Sequence, residues 1–420
     1  MIQVRLAHFF STVFLTAVCC AATAQTSYSL QKALQTARAN NPILKTAQFN
    51  IGIAQTDIVT AGLRFNPILN NQSLQLMQPS EFAANTGWQK AQNRQVWWQL
   101  TQSFQVAGQR AYKIELANRM ALLSEKDYTE TERNLFAEVA IKWLEAWTAR
   151  QQLALIEVAK NNIDSLVITN QLRYKNQVIT QTDLFRTELL AKQYAIQYKT
   201  ASQEVIDRQN ELKFLLGVQD SLRIDTADSP PFSFSESLDN LLAQSLQYRS
   251  DLQTAQSLIK VSNSNIKLQK SLAFPQPELG VIWNPQNAVP YLGIYATIDL
   301  PISNRNQGEI RKSFLLKDQA EQQLFTIQEQ IQTEISIAYA NYRLQQQNLE
   351  DFSLLLAQSQ SILDNVKYAY LRGGTTIIDF LEAQRSWLET QQQYHETMQF
   401  YRQSYIQLLY ATGLINQLAQ

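Results

Sequence analysis

The chain has 420 residues, 45% hydrophobic and 17% charged, which is enough apolar material to bury a sizeable core and excludes a mostly disordered tail. Its 36 basic residues balance 36 acidic ones, so the basic footprint of a nucleic-acid partner is absent. The only cysteines, Cys19 and Cys20, lie near the start, and His395 is the only histidine beyond residue 24, which leaves no disulfide framework and no Cys/His metal set.

Residues 1–24 place Arg5 ahead of an apolar run from Phe9 to Val18, followed by Ala22-Thr23-Ala24. This is the pattern of a secretory signal peptide cut after Ala24. The apolar run falls short of the roughly 20 residues a spanning helix needs. Lipidation at Cys19 or Cys20 is the alternative, although Val18 and Cys19 are not the small residues such a site usually has before it. Removal of residues 1–24 takes away Arg5 and no acid, so the charge balance persists.

Beyond this leader the glycines and prolines organise the chain, because inside a helix they cost about 1 and 3 kcal/mol. A first repeat is expected over 25–216, with an opening helix, strands at about 67–77 and 94–106, and a helical hairpin over about 109–216. Leu74 and Leu76 supply the apolar residues of its first strand. In the second strand Val96, Trp98 and Leu100 alternate with Gln95, Gln99 and Thr101. Neither Gly nor Pro occurs between Gly108 and Gly217. A helix from Gln109 to about Arg173 would run roughly 98 Å, too long for a compact globular domain. Phe136, Ala140, Trp143 and Trp147 recur on it at helical spacing, a periodicity that a soluble coiled coil shares.

Residues 217–234, with Pro230 and Pro231, form a linker to a second repeat over 235–420. This again reads as a helix, strands at about 278–284 and 290–302, and a hairpin over about 308–412. Leu292, Ile294, Ala296, Ile298 and Leu300 define one apolar face against Gly293, Thr297 and Asp299. Leu279, Val281 and Trp283 do the same in the neighbouring strand, and the turn between the two carries Pro285, Asn287 and Pro290. Tilted strands of about ten residues match a bilayer, and Trp97, Trp98, Trp283 and Tyr291 suit its interfaces. A soluble sandwich edge is the competing reading.

The two halves are duplicates. Glu138 and Glu334, Tyr174 and Tyr370, Asp183 and Asp379, and Gly217 and Gly413 are each 196 residues apart. Four strands per chain are too few to close a barrel, and open edges are not tolerated in hydrocarbon, so the chain must oligomerise to span a membrane.

Three passages, YSLQKALQTARANNP, SFQVAGQR with its repeat DLPISNRNQGEI, and GGTTIIDFLEAQRSWLE, resemble the TolC family of outer-membrane factors. The likeness runs from Tyr28 to about Leu414. Within the family, the short mature length is most similar to the CzcC and CusC branch. The resemblance implies an α-helical body joined to a membrane β-barrel: a homotrimer in which twelve strands form one barrel in outer-membrane lipid and the long hairpins form a periplasmic tunnel. It implies an exit duct of a tripartite efflux system, working with an inner-membrane pump and a periplasmic adaptor. A type I protein secretion channel is the alternative within transport, and a non-pore periplasmic scaffold is the alternative outside it.

The resemblance also assigns roles at the hairpin tips. The adaptor docks there, at Gln177, Val178 and Thr180 on one tip and Gly373, Gly374 and Thr375 on the other, with Gln177 standing where the family pattern has Gly. Asp379 and Glu382 face the lumen at its constriction, and Asp183 hydrogen bonds near Tyr370 to hold the tip closed. The competing reading of Asp379 and Glu382 is as first-turn acids that complement the helix dipole. His395, in a Gln-rich stretch, is expected to be solvated. No catalytic residue, cofactor or metal ligand is assigned.

Overall fold

A computed structural model describes residues 27–227, 232–285 and 290–419. The leader with Cys19 and Cys20, the linker prolines Pro230 and Pro231, and Asn287 lie outside the described residues. The elements in chain order are β1 (Ser27–Tyr28), α1 (Leu30–Asn40), α2 (Pro42–Gly62), β2 (Ile68–Gln75), β3 (Arg94–Ser103), α3 (Gln109–Lys175), α4 (Gln181–Leu216) and β4 (Arg223–Ile224). There follow α5 (Leu238–Tyr248), α6 (Ser250–Ser271), β5 (Glu278–Asn284), β6 (Tyr291–Thr297), α7 (Gln307–Leu371) and α8 (Ile377–Thr412). The uninterrupted helices α3 and α7 have 67 and 65 residues; α3 has neither Gly nor Pro, and α7 has only Gly308 in its first turn.

Compactness does not follow the linear repeats. One unit comprises Met1–Pro42, Arg133–Leu242 and Glu334–Gln420, the other Ile43–Glu132 and Ala243–Thr333, so each draws on both halves of the chain.

The first unit is helical. Phe136, Ala140 and Trp143 on α3 are fully buried, and Leu30, Leu34 and Leu212 are buried in the same unit. The Trp143 indole donates to the Tyr28 carbonyl at 3.0 Å, and the buried Asn41 amide donates to the Leu215 carbonyl at 2.7 Å. β1 pairs in parallel with β4, so the stretch expected as a linker is partly built into the fold. Further along, the Phe234 amide donates to the Tyr342 hydroxyl at 2.9 Å and the Tyr401 hydroxyl donates to the Phe232 carbonyl at 2.5 Å. His395 departs from expectation. It is half buried, its Nδ1 is enclosed without a partner, and burial together with the nearby Arg402 charge holds its pKa below the usual imidazole value.

The second unit carries an antiparallel sheet in the order β2-β3-β5-β6. Trp98 stands opposite Trp283, Leu100 opposite Val281, Val281 opposite Ile294, and Trp283 opposite Leu292. One face is therefore apolar across β3, β5 and β6, and it is open: Leu292 is 76% and Ile294 86% exposed. The other face carries Gln95, Gln99 and Thr101. Register and strand ends correct four expectations. Leu74 pairs with Gln95 and so lies on the polar face, and Leu76 falls beyond the strand; Leu69, opposite Leu100, takes the apolar position instead. Trp97 and Tyr291 also belong to the polar face, leaving Trp98 and Trp283 as the aromatics of the apolar face. β6 ends at Thr297, so Ile298 and Leu300 follow the strand and do not extend its face.

Gly280 has a steric purpose. A Cβ there would lie 2.4 Å from the Tyr295 ring, which crosses the polar face to bring its hydroxyl onto that of Thr101.

Candidate functional site: the paired helical tips

Both hairpins turn by the same chemistry. At the end of α3 the amide of Gln177 donates to the Tyr174 carbonyl and that of Val178 to the Arg173 carbonyl, at 2.9 and 2.8 Å. At the end of α7, Gly373 donates to Tyr370 and Gly374 to Ala369, at 3.1 and 2.8 Å. Each is a Schellman closure, which needs one residue in the left-handed region. Gly373 supplies it with φ 76° and Gln177 with φ 60°, so the departure from glycine at the first tip changes the residue and preserves the backbone. Gln177 accepts a conformation that glycine takes at no steric cost.

The following helices start alike. Thr180 caps α4 and Thr376 caps α8, each accepting from the amide three residues on at 3.2 Å. The carboxylates of Asp183 and Asp379 return to the cap residues: Thr180 Oγ1 reaches Asp183 Oδ2 at 2.7 Å, and Thr376 Oγ1 reaches Asp379 Oδ2 at 2.6 Å. These are capping boxes built with Asp. Asp379 gains a further bond from Thr375 Oγ1 at 2.7 Å, where the first tip has Ile179. The Thr376 and Thr375 donors hold the Asp379 carboxyl below the ordinary carboxylate range, so it stays charged.

Tyr370 is placed differently from expectation. Its hydroxyl donates to Asn170 Oδ1 at 2.8 Å, and Asn170 Nδ2 donates to Thr187 Oγ1 at 2.9 Å. Asn170 and Thr187 are completely buried. Within the chain, Asp183 gives its carboxylate to the cap and to Arg186 at 3.7 Å, and the partner of Tyr370 is Asn170. Sequence reasoning missed Asn170; the available signal was an amide four residues before Tyr174 on an otherwise apolar helix face. Arg173 adds a second tie. Its guanidinium lies 4.8 Å from the Tyr370 ring centroid and donates to the Leu371 carbonyl at 3.2 Å, where α7 leaves backbone acceptors unpaired. Phe380 stacks on Tyr370 at 5.3 Å. Ile163, Leu190, Leu363, Phe380 and Trp387 form the core beneath, so four helix ends are bound as one body.

Between the tips lies a groove of about 580 Å³ whose walls include Gln177, Val178, Thr180, Asp183, Tyr370, Gly373 and Thr375. Gly374, Asp379 and Glu382 are exposed beside it and are not part of its lining. Among the described residues no group of three His, Cys, Asp or Glu side chains gathers as a metal set.

Duplicated long hairpins leading into an open four-stranded sheet are also the fold of solved outer-membrane channels. Similar solved structures include CusC (18% identity, TM-score 0.76, covering 92% of each chain) and the open state of Neisseria gonorrhoeae MtrE (17%, 0.72, 92% of this chain and 89% of that one). The Campylobacter jejuni CmeC outer membrane channel is similar at 15% identity and TM-score 0.72, over 91% of this chain and 85% of that one. No curated protein matches the sequence. Residues 33–218 and 241–414 match the outer membrane efflux protein family, and the chain belongs to it. It is an outer-membrane efflux channel whose helical body lies in the periplasm.

Proposed function

We propose that three copies complete one barrel and that the assembly is a passive exit duct, joined at its tips to a periplasmic adaptor and an inner-membrane pump. The observation that carries this reading is the four-stranded sheet, apolar on one face and unpaired along β2 and β6. Unpaired backbone groups cost several kcal/mol each in hydrocarbon, and pairing β2 of one copy with β6 of the next removes both edges. The identical backbone turns at the two tips support adaptor docking, because three chains would present six equivalent loops whose side chains alternate between Gln177-Val178 and Gly373-Gly374. Trimer symmetry would also gather Asp379 and Glu382 into acidic rings at the lumen, and the hydroxyl bonds that keep Asp379 ionised suit that role. Native mass measurement in detergent tests the stoichiometry: three chains are expected, and a stable monomer in the membrane overturns the reading.

A further inference from the structure

Register leaves two aromatic side chains without the membrane interface expected of them. Trp97 pairs with Gln72 and Tyr291 with Asn284, and the β3–β5 register, continued one step beyond the Trp98–Trp283 pair, sets Asn284 level with Trp97. Gln72, Trp97, Asn284 and Tyr291 therefore form one row across the four strands on the polar face. The row lies at the end of the sheet where β2 turns back into β3 and β5 into β6, away from the helices. Asn284 is 2% and Tyr291 59% exposed, so the row offers ring surface more than amide. A third aromatic on this face is used differently: Tyr295 lies over Gly280 with its hydroxyl on Thr101.

Charge on the same face has one sign. Its described strand residues include no Lys or Arg, and their one acid, Glu278, stands opposite Ser103 and Thr297 at the helix end. β5 runs from Glu278 to Asn284, so about 20 Å separates the carboxylate from the aromatic row at roughly 3.4 Å per residue. Trp and Tyr rings attract planar aromatic groups by stacking and cations by the negative face of the ring. Neither side chain is a usual metal ligand, so the row discriminates by π-surface and charge and not by coordination.

We propose that Trp97 and Tyr291 form a contact site for planar organic cations on the inner wall of the outer half of the barrel, with Glu278 concentrating such cations at the other end. The site rests on the duct reading above and names a class of cargo for it. Binding there is weak, since a conduit must release what it holds.

Ethidium, a planar aromatic cation, is the probe. Three-chain channels are recorded in planar bilayers with ethidium, tetramethylammonium or 1-naphthalenesulfonate on the outer side. Ethidium should block at the lowest concentration of the three. Trp97→Leu with Tyr291→Leu should weaken its block roughly 2- to 30-fold, the range of a single stacking or cation–π contact, and Trp97→Phe with Tyr291→Phe should keep most of it. Labelling gives a second measurement that leaves both rings in place: ethidium should slow the reaction of Gln95→Cys with a water-soluble thiol reagent and leave that of Thr297→Cys unchanged. Full ethidium block in the Leu variant, equal block by tetramethylammonium or the sulfonate, or unprotected Gln95→Cys overturns the site while the duct stands. A three-chain fraction that does not conduct overturns the duct and the site with it.

Discussion

Replacing Tyr370 with Phe removes one oxygen from the tip and leaves its packing on Phe380 and Arg173 in place. The loss is felt at Asn170, whose Oδ1 is fully buried and receives the Tyr370 hydroxyl at 2.8 Å. A net hydrogen bond is worth about 1 kcal/mol, and a buried acceptor left without a donor costs about 1–3 kcal/mol. The tip is therefore expected to lose about 1–3 kcal/mol against local opening, roughly a 5- to 150-fold rise in the open population. Because a chain of two compact units is not expected to unfold in two states, the assay is local: native-state hydrogen exchange of amides near Leu363–Phe380 and Asn170–Thr187, measured on the detergent-solubilised protein. Exchange should accelerate by that factor in both stretches, since one network joins them. Asn170→Leu combined with Tyr370→Phe should cost less than the two single changes together, because the buried Oδ1 acceptor and its hydroxyl donor are then removed as a pair and the Thr187 hydroxyl still donates to the Asp183 carbonyl at 3.0 Å. Unchanged exchange in Tyr370→Phe would refute the network, and equal acceleration by Asp183→Asn would restore Asp183 as the partner of Tyr370.

Gly373→Gln should assemble normally and lose only about 1 kcal/mol locally, because Gln177 already holds a long side chain in the same left-handed backbone; export assays should nevertheless fall if this loop meets the adaptor, and normal export at normal expression would remove that assignment. Asp379 has a depressed folded pKa, so its contribution to the cap is present above the ordinary Asp value of 3.8 and is lost as pH falls through the lower folded value; exchange at Ile377–Phe380 should be pH-independent in its opening step near neutrality and rise only in strong acid, a rise that Asp379→Asn abolishes. His395 is held below its ordinary value of 6.5 and stabilises the fold above that pH, so denaturation midpoints should drop between pH 7 and 5, and His395→Gln should flatten the profile. Single-channel recording of Asp379→Asn with Glu382→Gln should show weaker cation preference and loss of block by trivalent cations, whereas conduction matching the unmodified channel would leave Asp379 as a cap residue alone.

Long-period features are legible in the sequence. The scarcity of Gly and Pro marks out α3 and α7, and the 196-residue repeat aligns the two tips to the residue. Strand faces were legible where alternation is strict, as in β5 and β6. They misled in the first half because Leu74 stands at the wrong parity relative to Leu69, and only the pairing partner reveals parity in a polar strand. At the tips, spacing located Asp183 and Asp379 but did not show where their oxygens go: a Thr-x-x-Asp pattern was present at both and reads locally as a cap. The amide of Asn170 on an apolar face was a local signal, but its partner and that of Arg173 were not legible, because they lie 200 and 197 positions away, a distance in sequence that no local pattern spans.

In the proposed assembly, sheets of separate copies join into one membrane pore. Purified protein should be separated by native mass into fractions of defined chain number, and each fraction recorded in planar bilayers. The account predicts discrete conductance steps from the three-chain fraction and none from single chains. Conductance carried by single chains, or a three-chain fraction that inserts and does not conduct, would contradict it.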